Sequence, residues 1–279
     1  MNDSNILADR FGVEAPDLEL RDDAHAVHRQ LAGRGSIRQF RDEPVPNQTL
    51  RRLCALALCA PTKSDLQQRD IIIVESSALR SQIAAGLTEG RLGQKWLGAV
   101  PTLLIFCGNN RRQRQIHALR GKDFVNDHLD AFFNASVDAA IALSAFVIAA
   151  EAEGLGVCPI SAVRNQPDTL ARLLRLPDRV FPVAGLAVGF PAVRPKRSPR
   201  LPLSVTLHYD TYSDDDLSSR IEEYDRRRSA VQPYTSQRYA DEFGLAEDYG
   251  WSEDKARQYA FPERQHFGDY IRRIGFKLD

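Results

Sequence analysis

The chain has 279 residues, 43% hydrophobic and 27% charged, the balance of a soluble globular protein of one large domain or two small ones. Lys+Arg and Asp+Glu both total 37, so the formal net charge is zero; this argues against nucleic acid or an anionic membrane as the main partner, since both demand a basic excess. Cys54, Cys59, Cys107 and Cys158 sit in apolar runs without CxxC spacing, and His25 with His28 lacks a third ligand nearby, so no metal site is expected.

Residues 1–22 are polar and aperiodic, and lack the basic start and apolar stretch of a signal peptide. They read as an N-terminal extension, and the expected compartment is the cytoplasm. A short helix is expected over 24–32, stopped at Gly33. In PNQTLRRLCALALCA, Leu50, Leu53, Ala57 and Ala60 mark an amphipathic helix that Pro61 ends. Apolar, β-branched runs predict strands at 71–75, 101–108, 155–161 and 182–191. Helices are expected over 77–87 and 168–176, with a loop through Gly93 to Lys95.

A long helix is expected over 124–153. Its stretch AFFNASVDAAIALSAFVIAA is long enough to cross a bilayer, but Asp138 in mid-span is costly in lipid. We read it as the central buried helix of a soluble fold. From Val193 the chain turns basic and proline-rich, and 213–279 is highly charged, with helices expected near 215–227 and 253–274.

There is no GxSxG, HExxH, Walker-type loop or GxGxxG, which disfavours a Rossmann dehydrogenase. Three polar clusters stand out instead. Arg34, Ser36 and Arg38 share one side of an extended segment; they suit either a phosphate or heterocycle edge, or a solvated edge strand. Thr62, Lys63, Ser64 and Gln67 follow a buried helix and read equally as a simple loop. Lys196, Arg197 and Arg200 form either an anion site or a basic surface tail.

The order of RGSIRQF, CAPTKSDLQ, GQK (93–95), GLGVCPISAVRN (154–165) and PVAGLAVGFPA…SPRLP (182–202) resembles the FMN-dependent nitroreductase family. The likeness is to its branch of oxygen-insensitive NADPH nitroreductases and flavin reductases. It spans roughly 31–212 and returns weakly at 251–273. The resemblance implies an α+β fold with a mixed, mainly antiparallel sheet flanked by helices. It also implies a homodimer that shares a long-helix interface with FMN in clefts there. On this basis 1–22 is an extension, 23–212 the FMN-binding domain and 213–279 a C-terminal helical extension wrapping the core.

Carried over by position, the resemblance gives Arg34, Gly35 and Ser36 to the FMN phosphate or ribityl chain and Arg38 to the pyrimidine edge. Thr62, Ser64 and Gln67 would line the ring or ribityl chain, partly across the dimer interface, and Gln94 would meet the pyrimidine carbonyls. Ile160, Ser161 and Ala162 would lie along one ring face, and Arg200 would close over the phosphate. Gly35 stands where the branch often has arginine, Ser161–Ala162 replace two glycines, Ser198 stands where lysine is usual, and Asp65 adds a carboxylate to a neutral loop.

The implied function is NAD(P)H-dependent, ping-pong oxidoreduction. NADPH or NADH is the donor, and a nitroaromatic, quinone or free flavin is the small acceptor. No side chain is nominated as acid or base. Arg111, Arg112, Arg114, Arg226 to Arg228 and Arg238 are candidate cations for an NADPH phosphate, or simply parts of solvated loops. The alternatives are a flavin-binding or sensing protein without efficient turnover, and a specialised flavin- or aromatic-modifying member.

Overall fold

The computed structural model describes residues 6–15, 25–88, 94–194 and 196–279. The helices, in chain order, are α1 (Ile6–Phe11), α2 (His25–Gly33), α3 (Asn47–Leu58), α4 (Ser77–Thr88), α5 (Arg111–Leu119) and α6 (Leu129–Ala152). They continue with α7 (Pro167–Leu174), α8 (Leu203–Thr206), α9 (Leu217–Val231), α10 (Ala240–Phe243), α11 (Trp251–Tyr259) and α12 (Phe267–Arg273). The strands are β1 (Arg69–Val74), β2 (Thr102–Asn109), β3 (Gly156–Ile160) and β4 (Val180–Gly189). Two compact units result, one from the described parts of 1–35 and 195–263, the other from 36–194 and 264–279.

In the second unit the strands form one sheet in the order β1-β2-β4-β3, antiparallel at each neighbouring pair. Alternate residues of each strand face opposite ways. On one face Leu104, Phe106, Val157, Leu186 and Val188 pack with Leu50, Leu53 and Ala57 of α3 and Ala142, Phe146 and Ala150 of α6. On the other, Leu103, Ile105, Cys107, Cys158 and Ile160 pack with Ile83 and Leu87 of α4 and Leu170 of α7. The sheet is therefore covered by helices on both faces, which is why its strands read as continuous apolar runs. The C-terminal helix α12 closes one end, placing Tyr270, Ile271 and Phe276 against Phe181 and Ala131.

The helix α6 is apolar all round but not buried all round. It is long and apolar enough to cross a membrane by length and composition. One side, with Ala135, Asp138, Ala142 and Phe146, is buried on the sheet. Leu129, Phe133 and Val137 recur at the helical spacing of four on an exposed stripe, and neighbouring α3 exposes Leu56 and Leu58.

The expected long helix begins later than the apolar reading suggests, because the His128 ring accepts the Asp130 amide and starts α6 there. The helix expected over 253–274 is two, α11 and α12. Pro262 lies between them and Arg264 adopts a left-handed φ of 56°, both incompatible with continuous helix. The extension holds a described helix, α1, that its lack of periodicity did not signal. The sequence reading also gave no helix at α5. Gly93 of the GQK motif lies outside the described residues, as do 1–5 and 16–24.

Candidate functional site

In the sheet unit, the segment after Ser36 runs beside β3. The Ile37 amide donates to the Val157 carbonyl at 2.9 Å, the Arg41 amide to Phe190 at 2.8 Å, and the Ala192 amide to Gln39 at 3.0 Å. Ile37 is buried while Arg38 is exposed, as an extended backbone requires. Ile37 packs so closely on Gly156 that a Cβ there would stand 2.8 Å from its Cγ1.

The Arg38 guanidinium lies 6.0 Å from the centroid of the Trp96 ring. The Trp96 indole N–H donates to the Gln94 side-chain oxygen at 3.0 Å, turning the amide's donor end away from the indole. One tryptophan thus joins two residues that the sequence named separately. Trp96 itself was not singled out, although it stands two residues after Gln94. It packs on the same core cluster as Ile160 and Ala162.

At the end of β3, Ile160 and Ala162 are buried, so they offer a ligand their backbone rather than their side chains. Ser161 is exposed and opens a 3-10 turn, Ser161–Arg164, whose first amides have no partner within the turn. Val163 seats this turn on β4. A Cβ at Gly185 would stand 2.8 Å from Val163 Cγ1, so the close approach depends on glycine.

The loop 62–68 enters β1, at the opposite edge of the sheet from β3. It holds three non-glycine residues in the left-handed region, Ser64 (φ 48°), Asp65 (φ 55°) and Gln67 (φ 53°). Such backbone costs about 1 kcal/mol or more per residue and persists only where its surroundings hold it. Here Asp138, fully buried on α6, accepts the Lys63 and Gln68 amides at 2.9 Å each. From the other side Arg112 donates to the Gln67 carbonyl and Gln113 to that of Leu66, both at 2.7 Å. Arg112 is in turn held by Asp70, which also accepts from Asn109.

Thr62 accepts the Gln67 amide at 3.4 Å, the Gln67 side chain donates to Asp65 at 3.1 Å, and Lys63 donates to Ser64 at 3.3 Å. Asp65 therefore tethers Gln67 within the loop. Within one chain the structure does not bring this loop beside Ser161, because β2 and β4 intervene, an edge-to-edge span of about 14 Å at ordinary strand spacing.

Arg34, Gly35 and Arg200 belong to the other unit. There the Arg200 amide donates to the Arg10 carbonyl at 2.7 Å, and an Arg10 Nη1 donates to the Arg34 carbonyl at 3.1 Å. Arg227 of α9 donates to the carbonyls of Arg200 (2.6 Å) and Arg10 (3.3 Å). Glu14 accepts the Ser204 amide at 2.7 Å, and Arg197 pairs with Asp9 at 3.5 Å. Burial first, then Arg200, Arg34 and Arg197, push the Arg10 guanidinium down to about 10. Arg10 lay in a segment given no role by the sequence, and no pattern there signals it.

Most of the cations considered for a nucleotide phosphate are committed elsewhere. Arg112 and Arg114 pair with Asp70 and Asp127, Arg227 caps two carbonyls, Arg228 donates to the Tyr234 hydroxyl at 3.5 Å, and Arg238 pairs with Asp254 at 3.4 Å. Arg111 and Arg226 are exposed and lack an acidic partner among the described residues.

An exposed cation joined by an indole to an amide suits a ring edge rich in carbonyls. A cluster of guanidiniums suits a phosphate. Taken separately, the two donor sets have the chemistry that the two ends of a phosphorylated heterocycle such as FMN call for. A sheet sandwiched between helices, with Arg38, Trp96 and Gln94 in the same unit, is an α+β architecture able to hold a cofactor.

The comparisons specify which. Residues 31–190 match the model of the Nitroreductase family, and 198–279 match that of the Nitroreductase family, C-terminal domain. FMN reductase [NAD(P)H] of Bacillus subtilis is 34% identical over 256 residues, covering 91% of this chain and 98% of its own. The oxygen-insensitive NADPH nitroreductase of Salmonella typhimurium is 33% identical over 195 residues, 69% of this chain and 78% of its own. The solved structure of NfrA2 from B. megaterium superposes with a TM-score of 0.80 at 30% identity, covering 91% of this chain and 99% of that one. The chain belongs to the nitroreductase family.

Proposed function

We propose that the protein is an NAD(P)H-dependent FMN oxidoreductase that works by a ping-pong scheme on a small electron-poor acceptor, such as a nitroaromatic, a quinone or free flavin. The observation that carries this reading is the linked set Arg38, Trp96 and Gln94, with Trp96 packed on the core cluster that includes Ile160 and Ala162, in a chain of this family. FMN held by these residues would supply the redox chemistry, hydride-equivalent exchange between a reduced nucleotide and the acceptor.

The chain's own residues bind, orient and polarise. Arg38 places positive charge where the pyrimidine edge gathers negative charge, and Gln94 donates to a carbonyl of that edge. The backbone amides at Ser161 and Ala162 would meet the ring, while buried Ile160 and Ala162 anchor that backbone. Arg34, Gly35, Ser36 and Arg200 hold the phosphate and ribityl end. Thr62, Ser64 and Gln67 line the cofactor from a second copy of the chain.

That last role requires a homodimer. Two observations support one: the loop and the Ser161 turn lie at opposite edges of the sheet, and the packed helices α6 and α3 expose Phe133 and Val137, and Leu56 and Leu58, respectively. We read 23–212 as the FMN-binding body and 213–279 as a C-terminal helical extension, although the second family model begins earlier, at 198. The cytoplasm is the proposed compartment.

The test is an absorbance spectrum of the purified protein before and after anaerobic addition of NADPH. Flavin bands that bleach support the reading. A colourless protein that takes up no FMN sinks it. Bleaching followed by slow re-oxidation with every acceptor leaves a flavin-binding protein instead of an enzyme. Parallel initial-rate lines with NADPH and a quinone are expected; intersecting lines would rule out the ping-pong scheme.

A further inference from the structure

The described part of the N-terminal extension delivers one buried cation, Arg10, into the arginine cluster. Arg10 is only 5% exposed. Its guanidinium donates to the Arg34 carbonyl at 3.1 Å, and its own carbonyl accepts the Arg200 amide at 2.7 Å. It is therefore tied to both chain segments that carry the cations proposed for the FMN phosphate. Among the described residues no carboxylate pairs with it, and the adjacent Asp9 is directed to Arg197 at 3.5 Å.

A buried guanidinium surrounded by like charge is unfavourable unless an anion joins it. The extension is nevertheless fastened in place, by Glu14 to the amide and hydroxyl of Ser204 and by Arg227 to the Arg10 carbonyl. Ser198, where the family tends to have lysine, supplies no charge, and its hydroxyl donates to Gln232 at 2.9 Å. The unit thus gains a cation from α1, which lies outside the stretches that match the family models.

We infer that Arg10 is a phosphate-binding residue, and that the described part of the N-terminal extension, residues 6–15, is a strap completing a site for the phosphate monoester dianion of FMN. This rests on the reading that Arg34 and Arg200 hold that phosphate. The same chemistry could come from the 2′-phosphate of NADPH. The location beside Arg34 and Arg200 assigns it to the flavin.

The experiment titrates flavin-free protein with FMN and with riboflavin, which lacks the phosphate, following flavin fluorescence. Wild type, Arg10→Ala and Arg10→Lys are compared, with circular dichroism and melting temperature as controls for folding. Arg10→Ala is expected to weaken FMN by about tenfold or more, the range for losing a charge-assisted hydrogen bond. Riboflavin affinity should stay unchanged, and Arg10→Lys should be intermediate.

If both flavins weaken by the same factor, or neither does, Arg10 is structural and the inference is overturned. It is also overturned if FMN is unaffected and only the NADPH/NADH preference moves. If wild-type protein binds neither flavin, the underlying reading fails as well, which separates that failure from a fault in the role of Arg10.

Discussion

The carboxylate of Asp138, in the middle of a largely apolar helix, accepts the amide of Gln68 at 2.9 Å while its other oxygen accepts that of Lys63. The residue that looked out of place in the helix is the anchor of the loop beside it. Asp138→Ala should leave two amides without a charged partner and destabilise the protein by about 3 kcal/mol, read from urea unfolding. Asp138→Asn should be nearly as damaging, because its amide nitrogen cannot accept. Arg112→Ala should loosen the same loop and weaken FMN binding without changing nucleotide preference. A pure change in NADPH/NADH ratio would contradict that assignment.

Arg38, Trp96 and Gln94 should behave as one group. Arg38→Ala is expected to make the flavin midpoint potential more negative and to lower kcat/KM by about tenfold to a hundredfold. Trp96→Phe removes the donor that orients Gln94. Combining it with Gln94→Ala should cost little more than Gln94→Ala alone. Full additivity in a double-mutant cycle would show that the indole contact does not matter to the site.

The turn that carries Ser161 depends on Gly185. Gly185→Ala should drive a methyl into Val163 and destabilise the protein by about 1–3 kcal/mol, with a parallel loss of FMN affinity. Val163→Ala introduced together with it should recover a large part of both losses. No recovery would mean that the glycine serves strand pairing and not the seating of the turn.

Stability at low pH should depend on Asp127. Its hydrogen bond from Arg114 holds the carboxyl below its ordinary range despite the opposing effect of burial, with Arg179 and Lys277 adding to the shift. A carboxylate lowered in the folded state contributes stability that is present above its unfolded value and lost as pH falls through the folded one. Urea midpoints measured from about pH 6 down to about pH 3 should therefore fall less steeply for Asp127→Asn than for wild type. Identical slopes would remove Asp127 from the account.

The exposed stripe of α6 makes the proposed dimer testable. Phe133, 60% exposed, lies on it with Val137. Phe133→Glu should give a monomer by sedimentation, because a charge buried unpaired at an interface is strongly unfavourable. It should lose FMN at the same time, since Thr62, Ser64 and Gln67 would no longer reach the other copy's site. A monomer that retains FMN would confine the site to one chain.

The four strands, the amphipathic α3 and the short α7 were legible in the sequence because each follows from local periodicity. A fully covered strand reads as a continuous apolar run, and a half-covered helix as a spacing of three and four. The family was legible too, since ordered short motifs survive as linear strings. What linear reading could not supply were relationships across distance. Nothing near Arg10 points to Arg34 or Arg200, and nothing in SDLQQ reveals that Ser64, Asp65 and Gln67 turn left-handed against Asp138, some 70 residues along the chain. Arg112 and Arg114 look like free cations in a string of letters and become structural only when Asp70 and Asp127 are folded against them. Local composition and periodicity set which segments are apolar and periodic, and hence most of the elements and the family. The tertiary structure decided which charges are satisfied, because pairing depends on proximity in space and proximity is created by folding.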